Sequence, residues 1–196
     1  MNTIVTHSKK QMCGSLTLII GPMYSGKTST IIDLYRKYGF STIPTMVINY
    51  AEDTRYSETM LSTHDKIMIP CVNIISLKDI ITPENIDNYQ VFLINEGQFF
   101  GDLKECVIKL VEVHNKCVYV CGLDGDFQRN GFKQILDLIP YSDNIVKKYS
   151  ICKSCEDGTK ALFSHRLSNE KQVKVIGSNN YIPLCRRCYI KHTNAT

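Results

Sequence analysis

The sequence predicts an α/β fold: a doubly wound, mostly parallel sheet with a phosphate-binding loop (P-loop), followed by a small C-terminal zinc-ribbon-like domain. Three observations predict it. Short apolar runs at 16–20, 45–49, 91–94, 116–121 and 144–149 alternate with stretches of helical periodicity, the pattern of four or five buried parallel strands joined by crossover helices. The first run ends in Gly21-Pro22-Met23-Tyr24-Ser25-Gly26-Lys27-Thr28, and a helical stretch follows at once. Near the end, Cys152-Lys153-Ser154-Cys155 and Cys185-Arg186-Arg187-Cys188 supply two C-x-x-C pairs.

A chain of 196 residues, 43% of them hydrophobic, can bury one sizeable core and leave a small appendage. We therefore divide it into a flexible arm (1–14), an α/β nucleotide-binding domain (15–149) and a zinc-binding domain (150–196). The formal charge of +4 is scattered, which argues against nucleic acid as a partner. The polar amino end, with His7, Lys9 and Lys10, lacks the apolar centre of a signal peptide, and no run approaches a membrane span. A cytoplasmic protein is expected to keep its nine cysteines reduced, so the paired ones read as metal ligands. Cys13, Cys71, Cys106, Cys117 and Cys121 read as packing residues.

The glycine-bounded loop 21–28 has a specific physical purpose. Its glycines let successive backbone N–H groups turn inward, the following helix presents its positive end, and Lys27 and Thr28 are placed for phosphate oxygens and Mg²⁺. Ile31, Ile32, Leu34 and Tyr35 recur at helical spacing over 29–38, with Gly39 suited to the C-cap. Beyond the second strand, Asp53 and Arg55 read either as contacts to Mg²⁺-bound water and phosphate or as a solvated turn. Residues 62–66 read as a loop, 67–69 as a short strand and 74–80 as helix or strand.

The strand 91–94 ends in Asn95-Glu96, where P-loop proteins often carry an acid for the Mg²⁺ shell. Glu96 reads as a general base for an attacking hydroxyl, or as a Mg²⁺-shell or capping residue. Residues 103–114 form a surface helix and 133–138 a short one. In the loop 122–132, Phe127 and Phe132 read as core or as ligand-facing, and Arg129 as a phosphate partner or a surface ion pair.

Each C-x-x-C pair can place two thiolates on one tetrahedral ion. Structural Zn²⁺ and redox-active thiols are the two readings, and four ligands would leave the metal no open position for catalysis. The long insertion 156–184 reads as a hairpin with arms at 161–166 and 172–176. It ends in Gly177-Ser178-Asn179-Asn180-Tyr181, a loop able to close over a small ligand.

Together, Gly21–Thr28, Asp53-Thr54-Arg55-Tyr56-Ser57, Glu96-Gly97-Gln98-Phe99-Phe100, Leu123-Asp124-Gly125, Phe127-Gln128-Arg129, Val173 to Gly177, Tyr181 and the four paired cysteines resemble the type II thymidine kinases. These are the cellular cytosolic type, also carried by large DNA viruses, and the likeness runs in register from about residue 16 to 191. The resemblance implies Mg²⁺-dependent transfer of the γ-phosphoryl group of ATP to the 5′-hydroxyl of thymidine, a salvage step toward DNA synthesis. It makes Glu96 the base, gives 21–28 the donor phosphates, and lets Asp53, Thr54, Arg55, Asn95 and Gln98 complete the donor side. It makes Met23, Phe99, Leu123, Phe127 and Phe132 the wall of the thymine pocket. Val173, Lys174, Val175, Ile176, Gly177 and Tyr181 become a lasso loop that recognises the base largely through main-chain hydrogen bonds. A homotetramer and feedback inhibition by dTTP are further implications, and deoxyuridine is a second candidate substrate for which main-chain recognition leaves little side-chain signature. The family usually has Asp where this chain has Asn95, so Asn95→Asp is expected to retain or raise activity. The alternative is a P-loop ATPase whose zinc ribbon grips nucleic acid through Arg186 and Arg187.

Overall fold

The computed structural model describes residues 13–51, 60–62, 67–168 and 180–194. Most of the amino-terminal arm, Asp53 to Arg55 and Val173 to Gly177 therefore lie outside the described residues.

Six strands form the central sheet: β1 (Ser15–Ile20), β2 (Thr45–Tyr50), β5 (Val72–Ile74), β6 (Val91–Ile94), β7 (Cys117–Gly122) and β8 (Asn144–Lys147). Their order is β5-β2-β6-β7-β1-β8, and every pairing is parallel. The sequence expectation of a mostly parallel sheet holds, and the parallel character extends to all six strands. The helices α1 (Lys27–Phe40), α2 (Pro83–Asn88), α3 (Leu103–Ile108) and α4 (Lys133–Leu136) supply the crossovers. A π-helical stretch, Lys109–Val113, continues α3.

The apolar runs are continuous because both sheet faces are covered. In β6, Phe92 and Ile94 pack with Leu18, Ile48, Val118, Leu103 and Leu110 on one face. Val91 and Leu93 pack with Ile19, Ile31, Ile32 and Val47 on the other. Burying such a side chain contributes ~1.5–3 kcal/mol each, so these two layers hold the sheet rigid beneath its loops.

Three expectations change. The strand at 144–149 is not buried, because β8 is the sheet edge and leaves Ile145 and Val146 exposed. The run near 67–69 is β4 (Met68–Pro70), which pairs antiparallel with β3 (Met60–Ser62) outside the main sheet. The ambiguous stretch at 74–80 divides into the end of β5 and a 3₁₀ turn, Leu77–Ile80. Among the five cysteines read as packing, Cys13 is exposed.

The C-terminal module pairs β9 (Ser150–Ile151) with β10 (Lys160–Ala161), and β11 (Phe163–Arg166) with β12 (Tyr181–Leu184), and closes with α5 (Arg186–Asn194). The first arm of the expected hairpin thus pairs with Tyr181–Leu184, while the second, 172–176, falls outside the described residues. A small core of Ala161, Leu184 and Tyr189 surrounds the cysteines.

Register decides where the site lies. Ile20 is level with Gly122 and Lys147, and Ile94 is level with Ile48 and Val120. The loops that open at Gly21, Asn95 and Leu123 therefore emerge side by side at the carboxyl edge, where open α/β sheets bind ligands.

Candidate functional site

The loop 21–28 departs from ordinary backbone where the sequence allows it. Gly21 has φ 151° and Gly26 φ 75°, and a Cβ at position 21 would sit 2.5 Å from the Lys148 carbonyl oxygen. Only glycine fits there, and Gly26 in the left-handed region opens α1 as its N-cap. Lys27 Nζ folds back over the loop, donating to the carbonyl oxygens of Gly21 at 3.0 Å and Pro22 at 2.7 Å. Ser25 Oγ is buried with no hydrogen-bond partner among the described residues. A cradle of glycine turns, a helix N-terminus, a lysine and an unsatisfied hydroxyl fits a polyphosphate and the hydroxyl-ligated Mg²⁺ that accompanies it. Loss of hydration lowers the Lys27 pKa, and the nearby Glu96 charge opposes that shift.

Two neighbours brace the loop from outside. Lys148 Nζ donates to the Gly26 carbonyl at 3.1 Å and to Thr30 Oγ1 at 2.5 Å. From the C-terminal module, Ser164 Oγ accepts the Met23 N–H at 2.9 Å.

Glu96 stands at the end of β6 in the left-handed region, φ 53° and ψ 39°. A non-glycine residue held there costs ~1–2 kcal/mol, and the local structure defines it from both sides. The turn swings Gln98 back so that its Nε2 donates to Glu96 Oε2 at 2.7 Å, while its Oε1 accepts the Leu123 N–H at 3.0 Å. Gln98 is almost fully buried, and a Cβ on Gly122 would collide with its Oε1. One glutamine thus ties the carboxylate after β6 to the backbone after β7.

Asn95 is buried, and its Nδ2 donates to Asn49 Oδ1 at 2.9 Å, whose own Nδ2 donates to Asn73 Oδ1 at 2.9 Å. Three amides therefore bridge the ends of β6, β2 and β5 without a formal charge.

Of the expected wall residues, Phe99 packs on Tyr50 and Phe132, with ring centroids 5.6 and 6.1 Å apart. Leu123 is half-buried beside Gln98. Phe127 is held by the C-terminal module instead: Tyr189 Oη donates to its carbonyl at 2.6 Å, and the Arg166 guanidinium lies 3.8 Å from its ring centroid. Tyr181, level with Arg166 across β11 and β12, accepts from Arg166 Nε at 3.0 Å. Arg129 makes no ion pair among the described residues. It sits over the Tyr189 and Phe163 rings, 4.8 and 5.7 Å from their centroids.

The sequence reading missed Lys148, Ser164, Arg166 and Tyr189. Each lies far along the chain from what it touches, so no local motif marks it.

The four cysteine sulfurs lie within 4.8 Å of one another, with Cys155 to Cys185 at 3.8 Å and Cys155 to Cys188 at 3.5 Å. A tetrahedral Zn²⁺ with Zn–S bonds of ~2.3 Å needs sulfur separations of roughly 3.8 Å, so the donor set fits. Four sulfurs converging on one point also suit a metal better than two separate redox pairs do. Burial raises the Cys152 thiol, but the backbone amides of Cys185, Cys155 and Ser154 outweigh it and bring the pKa down to about 6. The Cys185 N–H lies 3.2 Å from Cys152 Sγ, and Arg187 Nη2 lies 3.8 Å from Cys155 Sγ. Both stabilise thiolate charge.

Comparison with known proteins identifies the family. The chain matches the thymidine kinase family model over residues 14–189. It is 40% identical to the thymidine kinase of Monkeypox virus over 178 residues, covering 90% of this chain and 97% of that protein. The thymidine kinases of Vaccinia virus (strain Western Reserve) and of Variola virus match with the same identity and coverage. No helix among the described residues is long and apolar enough to cross a membrane. Because the matched span begins before β1 and ends beyond Cys188, it takes in the phosphate loop, Glu96 and all four sulfurs, and the chain belongs to the thymidine kinase family.

Proposed function

We propose that the protein transfers the γ-phosphoryl group of ATP to the 5′-hydroxyl of thymidine, giving thymidine monophosphate. The observation that carries the reading is the Glu96 carboxylate, fixed by Gln98 at the sheet edge where the Lys27 loop opens. Phosphoryl transfer needs in-line positioning and charge neutralisation more than covalent chemistry. The amides of 21–28 and Lys27 bind the donor phosphates, and Thr28 holds Mg²⁺, which when bound neutralises charge on the phosphoryl oxygens. Asp53, Thr54, Arg55 and Asn95 complete the donor side. Glu96 accepts the 5′-hydroxyl proton as the oxygen attacks, and Gln98 keeps its carboxylate in line. Met23, Phe99, Leu123, Phe127, Phe132 and Tyr181 wall the thymine, and Val173, Lys174, Val175, Ile176 and Gly177 close over it, excluding water that would otherwise hydrolyse ATP.

Zn²⁺ on Cys152, Cys155, Cys185 and Cys188 is structural in this reading. Arg187 lies on the cysteine cluster and Arg186 over the Phe163 ring, which disfavours the ribbon as a nucleic-acid grip. Deoxyuridine as a weaker substrate, dTTP as feedback inhibitor, a homotetramer and a cytoplasmic location complete the proposal.

The test is transfer of labelled phosphate from ATP to thymidine by the wild-type protein and by Glu96→Gln. The variant should bind ATP normally and lose ~10²–10⁴-fold in kcat. Near-normal kcat in the variant would remove Glu96 as the base, and a wild-type protein that hydrolyses ATP without phosphorylating thymidine would refute the function.

A further inference from the structure

Arg166 is nearly fully buried, on the innermost described rung of the β11–β12 hairpin. Taking a guanidinium out of water is expensive, and its rigid planar fork can hold a neighbour in a fixed orientation. Its two hydrogen bonds to Tyr181 Oη, from Nε and Nη2, fix the plane of the fork. That plane lies against Phe127, 3.8 Å from the ring centroid. Phe127 belongs to the loop beyond β7, at the ligand-binding edge, and is only half-buried. A phenyl whose task was to anchor that loop would be sunk in the core, as Phe92 and Phe100 are. This ring is instead held at its carbonyl by Tyr189 and on one face by a desolvated cation.

We propose that Arg166 is a positioning residue for nucleoside binding. Its guanidinium, clamped by Tyr181, sets the orientation of Phe127, whose other face stacks on the pyrimidine base. This rests on the thymidine kinase reading above. The hairpin therefore contributes to nucleoside affinity through a side chain that never touches the nucleoside. The buried Arg166 cation stacked on this half-buried ring sets an upper limit of about ten- to thirtyfold on the nucleoside affinity lost with it.

The experiment is steady-state kinetics with thymidine and ATP varied in turn, on wild type, Arg166→Met, Arg166→Lys, Phe127→Leu and the Phe127→Leu/Arg166→Met double variant, with zinc content and thermal melting of each. Arg166→Met should raise the thymidine KM about ten- to thirtyfold, leave the ATP KM within about twofold and keep wild-type zinc content. Arg166→Lys, which keeps the charge but not the planar fork, should raise it by about three- to tenfold. The double variant should be no worse than Phe127→Leu, because Arg166 acts through that ring. An unchanged thymidine KM, equal rises in both KM values, or losses that multiply in the double variant would overturn the proposal. Should Arg166→Met lose its zinc or fail to fold, Arg166→Lys decides, and an unchanged thymidine KM there overturns it. Absence of thymidine phosphorylation in wild type refutes the function and this inference with it. Wild-type turnover with an unaffected Arg166→Met refutes this inference alone.

Discussion

Replacing Gln98 by methionine removes both ends of the link between Glu96 and Leu123 while nearly conserving volume. The Nε2 end donates to a carboxylate at 2.7 Å, and a hydrogen bond to a charged group contributes ~1.5–3 kcal/mol. If that bond serves to hold Glu96 in its productive orientation, its loss lowers kcat by about ten- to a hundredfold. The Oε1 end accepts the Leu123 N–H at 3.0 Å in a buried setting, and orphaning that donor costs ~1–3 kcal/mol of stability. At about 2–4 °C per kcal/mol for a chain of this size, the melting temperature should fall by roughly 2–12 °C. The assay is initial-rate phosphate transfer to thymidine at saturating ATP, beside calorimetric ATP binding and a thermal melt. ATP affinity should stay within about twofold, since the methionine leaves 21–28 intact. A variant that melts early yet turns over at the wild-type rate would show that Gln98 is structural only. One that loses ATP affinity would place Gln98 on the donor side.

Three further outcomes follow from the same geometry. Burial lowers the Lys27 pKa, so the folded protein holds this proton less tightly than the unfolded chain does. The charged amine therefore opposes folding at neutral pH, and that cost fades as pH rises through the lowered folded pKa. In the rate, kcat/KM for ATP should decline on the alkaline side below the ordinary lysine value of 10.5, and Lys27→Arg, weaker throughout, should lack that decline; a decline shared by both variants would assign it elsewhere. Asn95→Asp should keep kcat at saturating Mg²⁺, as the sequence suggests, but place a carboxylate 2.9 Å from Asn49 Oδ1 unless that amide turns over and gives up Asn73, costing ~1–3 kcal/mol in a melt; an unchanged melting temperature, or a large loss of kcat, would contradict this. Chelation should release about one zinc per chain and abolish thymidine turnover while the far-ultraviolet signal of the sheet persists, because Tyr189 and Ser164 connect the module to Phe127 and Met23; full activity in the metal-free protein would show that the module does not support the site.

What the sequence shows of the candidate site is what is local in the chain. The phosphate loop needs glycines, a lysine and a hydroxyl at fixed offsets between a strand and a helix, and the cysteine pairs need two intervening residues; both constraints act within a single turn. The stacking of Arg129 was not legible, because the aromatic rings it meets lie 34 and 60 positions away in the chain. The strand at 72–74 went unseen because three residues carry too little periodicity, and pairing with β2 creates it.

By itself the sequence determined the alternation of the five longer strands with helices, the glycine-bounded loop after β1, the acid after β6 and the two cysteine pairs, since each follows from side-chain periodicity or from residue spacing over a few positions. Only the tertiary structure decided that Gln98 joins Glu96 to Leu123, that Asn95 ends in a chain of neutral amides, and that Arg166 and Tyr189 hold Phe127. Those contacts join residues brought together by parallel register and by packing of the module on the sheet. Register and packing are properties of the whole buried surface, which no short stretch of sequence carries.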